Sequence, residues 1–433
     1  MKRLINYINK NVLIKVTSLQ IASVVTRIIA GLLTSKAIAI FIGAEGLALI
    51  GNLRNLVSSL HSIAILGFYK GVVKYISDFK ENLTELSKTI STVFYIGFVS
   101  TTVLSVLCYF NAEFINDFVF PSYNNYGYII RIFAIVLPFY ALNMFSFSIM
   151  NGFLKYKILI VINIIGQILS VSVALLLIYQ EELRGALISV VIAESLIFLI
   201  TLVGIVNRRS LVPLIKTKNV SLDVFKKMSS YSFMALFPTV VLPLITIVIR
   251  NHIIENIGYK DAGHWEAMTR ISNYYLMLVT SLMALYILPR FSEIDSKEEF
   301  KKEVLSIYKS VMPKLALGLF IIYLLRSFIV AVVFSSEFEP VKDLFLWQLL
   351  GDLIKVLSLV IAYQLLAKKM FWHYILTEAF LVITIYFTSI NFLNMFNDVQ
   401  GAVLAHFVSY MLYFGIIVII FRRSLFVTHK VKT

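Results

Sequence analysis

Arg184-Gly185-Ala186 opens one apolar stretch of the chain, and 216 residues later Gln400-Gly401-Ala402 opens another in the equivalent place. The same offset joins Arg54 to Arg270 and Lys74 to Arg290, and Arg208-Arg209-Ser210-Leu211 recurs as Arg422-Arg423-Ser424-Leu425 after 214 residues. No single match is strong. Several at nearly one spacing, in a chain of twelve apolar stretches, divide it into two copies of six. An even number of spans returns each copy to the side on which it began. The repeats are therefore parallel, related by an axis along the membrane normal, as in two-lobed carriers. The expected fold is an all-α polytopic membrane protein of twelve transmembrane helices, in two parallel six-helix lobes (1–216 and 217–433) around a central cavity.

Composition excludes the soluble alternatives. Of 433 residues, 59% are hydrophobic and 15% charged, with mean hydropathy +0.86, whereas soluble domains carry roughly 25% charge. The one cysteine, Cys108, rules out an intrachain disulfide and any C-x-x-C site. The first half reads as spans Ile14–Ile42, Leu47–Leu66, Ile90–Phe110, Tyr128–Ile149, Ile158–Tyr179 and Ala186–Val206. The second half reads as Tyr231–Ile249, Ala267–Leu288, Met312–Phe334, Leu344–Leu366, Trp372–Ile390 and Ala402–Phe421, each near the roughly 20 residues a bilayer requires. The N-terminal segment reads as the first span rather than a cleaved signal, because Gln20, Ser23 and Arg27 interrupt it and no cleavage-like close follows.

The net charge of +15 is distributed as an insertion signal. Twenty-eight Lys and Arg fall at the N-terminus, the tail and the alternate loops, and only Arg184, Arg250, Lys260 and Lys342 fall in the opposite loops. The positive-inside rule places the basic side, and both termini, in the cytoplasm. That pattern argues against a nucleic-acid partner. No loop is long enough for a soluble catalytic domain, and the central connection and the segment after span 8 read as amphipathic surface helices. No Walker loop, G-x-G-x-x-G or H-E-x-x-H occurs, so no cofactor is expected and the chain reads as a carrier rather than an enzyme.

Seven cations remain inside the spans: Arg27, Lys36, Arg54, Arg131, Arg270, Arg326 and Lys355. Each costs about 2.5–3.5 kcal/mol at mid-bilayer on insertion scales, and so calls for a reason. Arg131 and Arg326 lie towards span ends and are expected to snorkel. The others sit in polar stripes: Gln20, Ser23, Arg27 and Thr34 on span 1; Asn52, Asn55, Ser59 and Ser62 on span 2, with Arg54, Ser58 and His61 beside them; Glu266, Arg270, Asn273 and Thr280 on span 8. Such faces either pack on another helix or line a water-filled cavity, and the cavity is the expectation. Glu266 and Arg270, four apart, are placed to pair along their own helix. Asp352 and Lys355 on span 10 are placed to neutralise each other, whereas Glu194 and Glu378 have no partner evident from sequence. These acids are either packed and protonated or sites of ion coupling. The candidate substrate-binding set is Arg27, Lys36, Asn52, Arg54, Arg270, Asn273 and Lys355, and the candidate coupling or charge-pairing set is Glu194, Glu266, Asp352 and Glu378. A cationic cavity suits an amphiphile with a pyrophosphate or acidic-sugar head, because guanidinium offers planar, bidentate donors to phosphate and carboxylate.

Gly43-Ala44-Glu45-Gly46-Leu47 running on to Gly51-Asn52-Leu53-Arg54, then Lys74-Tyr75-Ile76, Tyr286-Ile287-Leu288-Pro289-Arg290 and the segment Asp343 to Val356 resemble the Wzx flippases. These are lipid-linked oligosaccharide translocases of bacterial inner membranes, and the likeness is to the O-antigen and enterobacterial common antigen branch. The resemblance covers almost the whole chain, and Arg54, Asp352 and Lys355 match the family pattern. It implies two six-helix bundles around a cleft lined by spans 1, 2, 7 and 8. It also implies movement of an undecaprenyl-pyrophosphate-linked oligosaccharide repeat unit from the cytoplasmic to the periplasmic leaflet. The implied partners are that lipid-linked oligosaccharide, membrane lipids, and a polysaccharide polymerase with its chain-length regulator. Span 7 departs from repeat symmetry, with no charge between Lys227 and Arg250. An ion-coupled multidrug exporter of the same fold is the alternative, which the shortage of first-lobe acids disfavours.

Overall fold

The computed structural model describes residues 12–79, 81–123, 125–206 and 214–426. Lys2, Arg3, Lys10, Lys80, Asn124, Arg208, Arg209, Ser210, Lys430 and Lys432 lie outside them. Every regular element among the described residues is helical. The helices are α1 (Val12–Phe41), α2 (Gly43–Ala64), α3 (Tyr69–Phe79), α4 (Leu83–Phe110), α5 (Ala112–Val119), α6 (Gly127–Gly152), α7 (Tyr156–Val206) and α8 (Leu222–Asn256). They continue as α9 (Tyr259–Leu282), α10 (Leu288–Glu293), α11 (Lys297–Leu324), α12 (Arg326–Val333), α13 (Phe345–Ala367), α14 (Phe371–Phe396) and α15 (Gln400–Leu425). Among the described residues nine helices are long and apolar enough to cross a membrane. One of them is α7, 51 residues long and broken at Glu182, where φ is 48° and ψ −121°. Helices α2 and α9 are not among the nine; they carry the charged stripes.

Local chemistry sets the helix limits. Asn82 caps α4 by accepting from the Glu85 amide at 3.2 Å, and Ser296 caps α11 by accepting from the Glu299 amide at 3.1 Å. Both are polar caps followed three residues later by glutamate, which satisfies donors that the first turn leaves open. The stops recur between the halves. After α6 the Leu154 amide closes on the Asn151 carbonyl and the Lys155 amide on that of Met150. After α13 the Lys369 amide closes on Leu366 and the Met370 amide on Leu365. Leu154 and Lys369 hold the left-handed φ values (58° and 53°) that this pair of bonds requires.

The Gly-Ala repeat has the same explanation twice. A Cβ on Gly185 would collide with the Leu177 carbonyl, and one on Gly401 would lie 2.7 Å from that of Phe392. Each glycine sits just beyond a left-handed residue, Glu182 (φ 48°) or Asn397 (φ 49°), where a helix doubles back on its predecessor. Only a residue without a Cβ admits that approach.

The chain forms two compact units. One holds Leu49–Ile247 with the residues before Gly43, and the other holds Gly43–Ala48 and Val248 onward. Within the first, α4 packs on α6 and α6 on α7; within the second, α11 packs on α13 and α13 on α15, the repeat-matched pairs. Phe68, Val72, Ile76, Leu86, Ile90, Val93, Ile149, Val224 and Met228 form a buried apolar cluster of the first unit. The start of α8 therefore belongs to it. A polar clasp fastens the segment before α8 to α4: the Ser87 and Ser91 hydroxyls donate to the Leu214 carbonyl at 2.6 and 3.1 Å, and Ser91 and Thr92 accept from the Lys216 and Ser221 amides, each at 2.9 Å. In the second unit the Ala44 amide donates to Glu337 Oε2 at 3.1 Å, which ties the start of α2 into it.

Candidate functional site

The second unit concentrates the buried charge. Helix α8 does not stop at Ile249 but runs to Asn256, and Gly258 (φ 151°) turns the chain into α9. Arg250 and Glu266 lie equally far either side of Gly258, so the hairpin brings them face to face. Arg250, fully buried, places Nη2 2.5 Å from Glu266 Oε2, and its guanidinium lies 5.3 Å from the Trp265 ring centroid. Arg270 Nε lies 2.8 Å from Glu266 Oε1, which is the pairing along α9 that the spacing predicts. One carboxylate thus serves two buried guanidinium groups.

A second cluster gathers on Asp352 of α13, which is fully buried. Its carboxylate accepts from the Ser272 hydroxyl at 2.5 Å and from the Tyr275 hydroxyl, both on α9. Gln348 Nε2 lies 3.4 Å away, and His406 Nε2 of α15 lies 3.0 Å from Oδ1. Two hydroxyls and a histidine take its hydrogen bonds, while Lys355, whose charge still acts on Asp352 as the spacing predicts, sets its ammonium 5.4 Å from the Tyr410 ring centroid. Glu378 of α14, buried, accepts from the Tyr413 hydroxyl of α15 at 2.9 Å. Asn273 is exposed on α9.

The first unit holds its cations differently. Arg27 and Arg54 are exposed, and Lys36 is half-buried. Asn52 is fully buried and its amide donates to the Val119 carbonyl at 2.9 Å, joining α2 to α5. The Ser59 hydroxyl donates to the Val240 carbonyl at 3.0 Å. His61 stacks on Tyr140 at 3.6 Å between centroids, with planes 7° apart. Glu194 is exposed on α7. Arg131, expected to snorkel, pairs with Glu113 of α5 at 2.8 Å, and Arg326 lies 4.3 Å from the Tyr323 ring centroid and donates to the Tyr323 carbonyl.

Residues 56–343 match the model of a family described as polysaccharide biosynthesis protein. The chain belongs to that family. Two relatives named lipid III flippase, from Escherichia coli (strain K12) and Shigella flexneri, are each 28% identical over 399 residues, covering 91% of this chain and 94% of theirs. Among solved structures, an inward-facing multidrug resistance MATE family transporter of the MOP superfamily superposes with TM-score 0.70 at 12% identity, covering 93% of this chain and 98% of that one. The lipid II flippase MurJ in an inward closed conformation gives 0.63 at 15% identity, covering 95% and 90%. The polytopic all-helical fold read from the hydropathy pattern is thus the fold that these two structures share.

Arg250, Ser272, Tyr275, His406 and Tyr413 are missing from the candidate sets read from the sequence. Arg250 was assigned to a loop because apolarity ends at Ile249, yet Gly258 is a turn signal that pairs position 250 with 266. The others are partners across helices, and polar residues in spans otherwise apolar are the only sign of them.

Proposed function

We propose that this polysaccharide biosynthesis protein is a flippase. It carries an undecaprenyl-pyrophosphate-linked oligosaccharide repeat unit from the cytoplasmic to the periplasmic leaflet of the bacterial inner membrane, for O-antigen or related surface polysaccharide. The observation that carries this reading is the likeness to two relatives named lipid III flippase along nearly their whole length. In this reading α7 is two spans and α2 and α9 also cross, giving twelve in two lobes. Arg27, Lys36 and Arg54 of the first repeat, and Arg270, Asn273 and Lys355 of the second, supply donors to the anionic head, with Asn52 fixing the helix beneath Arg54. The offset that matches Arg54 to Arg270 supports this role, since guanidinium offers planar, bidentate donors suited to a phosphate. The reading is tested by expression in cells lacking their own flippase. Surface glycan should return and the lipid-linked intermediate should cease to accumulate. Efflux of cationic dyes with no glycan restored would instead favour the multidrug alternative.

The 28-to-4 distribution of cations predicts topology. With Cys108 replaced, a single cysteine at Ser122 should react with an impermeant maleimide from the periplasm, and one at Ser210 only after permeabilisation. Equal labelling of both in intact spheroplasts contradicts the orientation.

Without a nucleotide-binding motif, uphill movement requires ion coupling, and an acid within the bilayer is the usual device. Glu194, Asp352 and Glu378 are the candidates; Asp352, one turn from Lys355, is the weakest, which leaves Glu194 and Glu378, the latter buried against Tyr413. Replacing each by Gln is expected to abolish stimulation by an imposed proton gradient in one of the two while substrate binding persists. Full gradient dependence in both variants removes these acids from the account.

A further inference from the structure

The first unit contains a slot that the anionic-head chemistry does not use. It lies between α4, α6 and the α2–α3 junction, open on one side and walled by Phe68, Phe94, Gly97, Thr101, Ala141 and Phe145. Three of its four hydroxyls are paired within the protein, and the fourth, Thr102, is exposed. Thr101 donates to the Ala64 carbonyl at 3.1 Å, Ser148 to that of Phe145 at 2.8 Å, and the Tyr69 hydroxyl accepts from Asn151 at 3.2 Å. These groups are already paired, so hydrocarbon is the matching occupant. The lip is apolar as well: Phe98 is 56% exposed and Val99 60%. Those positions lie in a membrane-crossing helix, so the slot opens to lipid.

We infer that this slot seats the isoprenoid tail of the lipid-linked substrate, an inference that rests on the flippase reading. Charge at one end of the slot selects this occupant. The slot lies in the half of α6 that ends at Gly152, and Lys74, Lys155 and Lys157 are exposed just beyond that end. The positive-inside rule puts this end at the cytoplasmic leaflet. An amphiphile with a pyrophosphate at the basic rim and one long chain running along α4 and α6 meets both features. A single-chain amphiphile is the expected occupant, and a two-chain phospholipid is the alternative that a displacement experiment separates from it.

Gly97 makes the inference testable. A Cβ there would meet no atom within 4 Å and Gly97 lines the slot, so a larger residue would extend into it. Replacing a helix-interior glycine also favours the helix. Gly415 is equally open but lies in α15, so it serves as the control. The probe is polyprenyl pyrophosphate with a diazirine in its tail, added to the full-length protein in liposomes. Label is expected on peptides spanning 94–101 and 138–148, displaced by unlabelled polyprenyl phosphate but not by phosphatidylglycerol. Gly97→Phe should lower that labelling about ten-fold, because overfilling a packed site excludes its occupant, while Gly97→Ala and Gly415→Phe leave it unchanged. Equal displacement by phosphatidylglycerol overturns the inference, since the slot then holds ordinary membrane lipid. Undiminished labelling in a Gly97→Phe protein as heat-stable as Gly97→Ala overturns it as well. If the probe labels other segments while the protein still flips substrate, the tail seat fails and the flippase reading stands. If nothing flips and no tail labels, both fail.

Discussion

Replacing Glu266 with alanine is expected to deplete the folded protein in the membrane, and what is purified should unfold well below the parent temperature. The carboxylate is the shared counter-charge of Arg250 and Arg270, both buried. Removing it takes the shared carboxylate from two buried guanidinium groups at once, and breaking a buried ion pair by deleting one partner costs about 3–5 kcal/mol. Arg250→Met is expected to cost less, because it leaves Glu266 and Arg270 as a matched pair and puts apolar volume against Trp265. Thermal unfolding of the three proteins in detergent ranks them. An Arg250→Met protein less stable than Glu266→Ala would mean that packing, rather than charge balance, holds this hairpin.

Loss of the Asp352 carboxylate should be nearly as damaging, and its effect should extend to transport. Asp352→Ala strips an acceptor from Ser272, Tyr275, Gln348 and His406 together. A buried donor left unsatisfied costs about 1–3 kcal/mol, so even partial relaxation leaves a large loss. Asp352→Asn keeps the shape but presents an amide to groups that are themselves donors. It is expected to fold, and to export glycan about ten-fold more slowly than the parent, equivalent to roughly 1.4 kcal/mol. Glycan export at equal protein abundance reads this directly. Normal export by Asp352→Asn would show that the network holds α9, α13 and α15 together and has no part in the transport cycle.

The recurring Gly-Ala pairs were legible in sequence because their causes are local. Gly185 and Gly401 are each required by a helix doubling back, and the turns after α6 and α13 close with the same two bonds. Hydropathy found the helix cores for a similar reason, since a bilayer-length apolar run is read from one segment alone. It failed at Arg250, where the helix continues beyond the apolar run because the ion pair with Glu266 satisfies the charge. The α9 stripe was read as one face, yet Glu266 and Arg270 are buried while Asn273 is exposed, and the neighbouring Ser272 and Tyr275 reach Asp352. Helical period tells which residues share a face but not which helix lies against it. Three-residue spacing offered Lys355 to Asp352 as a charge, and only the tertiary neighbours reveal that Ser272, Tyr275 and His406 supply the hydrogen bonds. Nothing in the order of residues marks Gly43–Ala48 as joining the second unit, since the Ala44 amide meets Glu337 across 293 positions.

The central claim is that the chain moves lipid-linked oligosaccharide between leaflets. The direct measurement is a quenching assay on liposomes holding the purified protein and a polyprenyl-pyrophosphate oligosaccharide with a fluorophore on the sugar. An impermeant reductant should bleach the outer-leaflet fraction alone in protein-free vesicles, and should progressively bleach the inner fraction where the protein is present. Phospholipid carrying the same fluorophore should stay protected in both. A protected inner fraction that is identical with and without the protein, or one lost equally for phospholipid, would contradict the account.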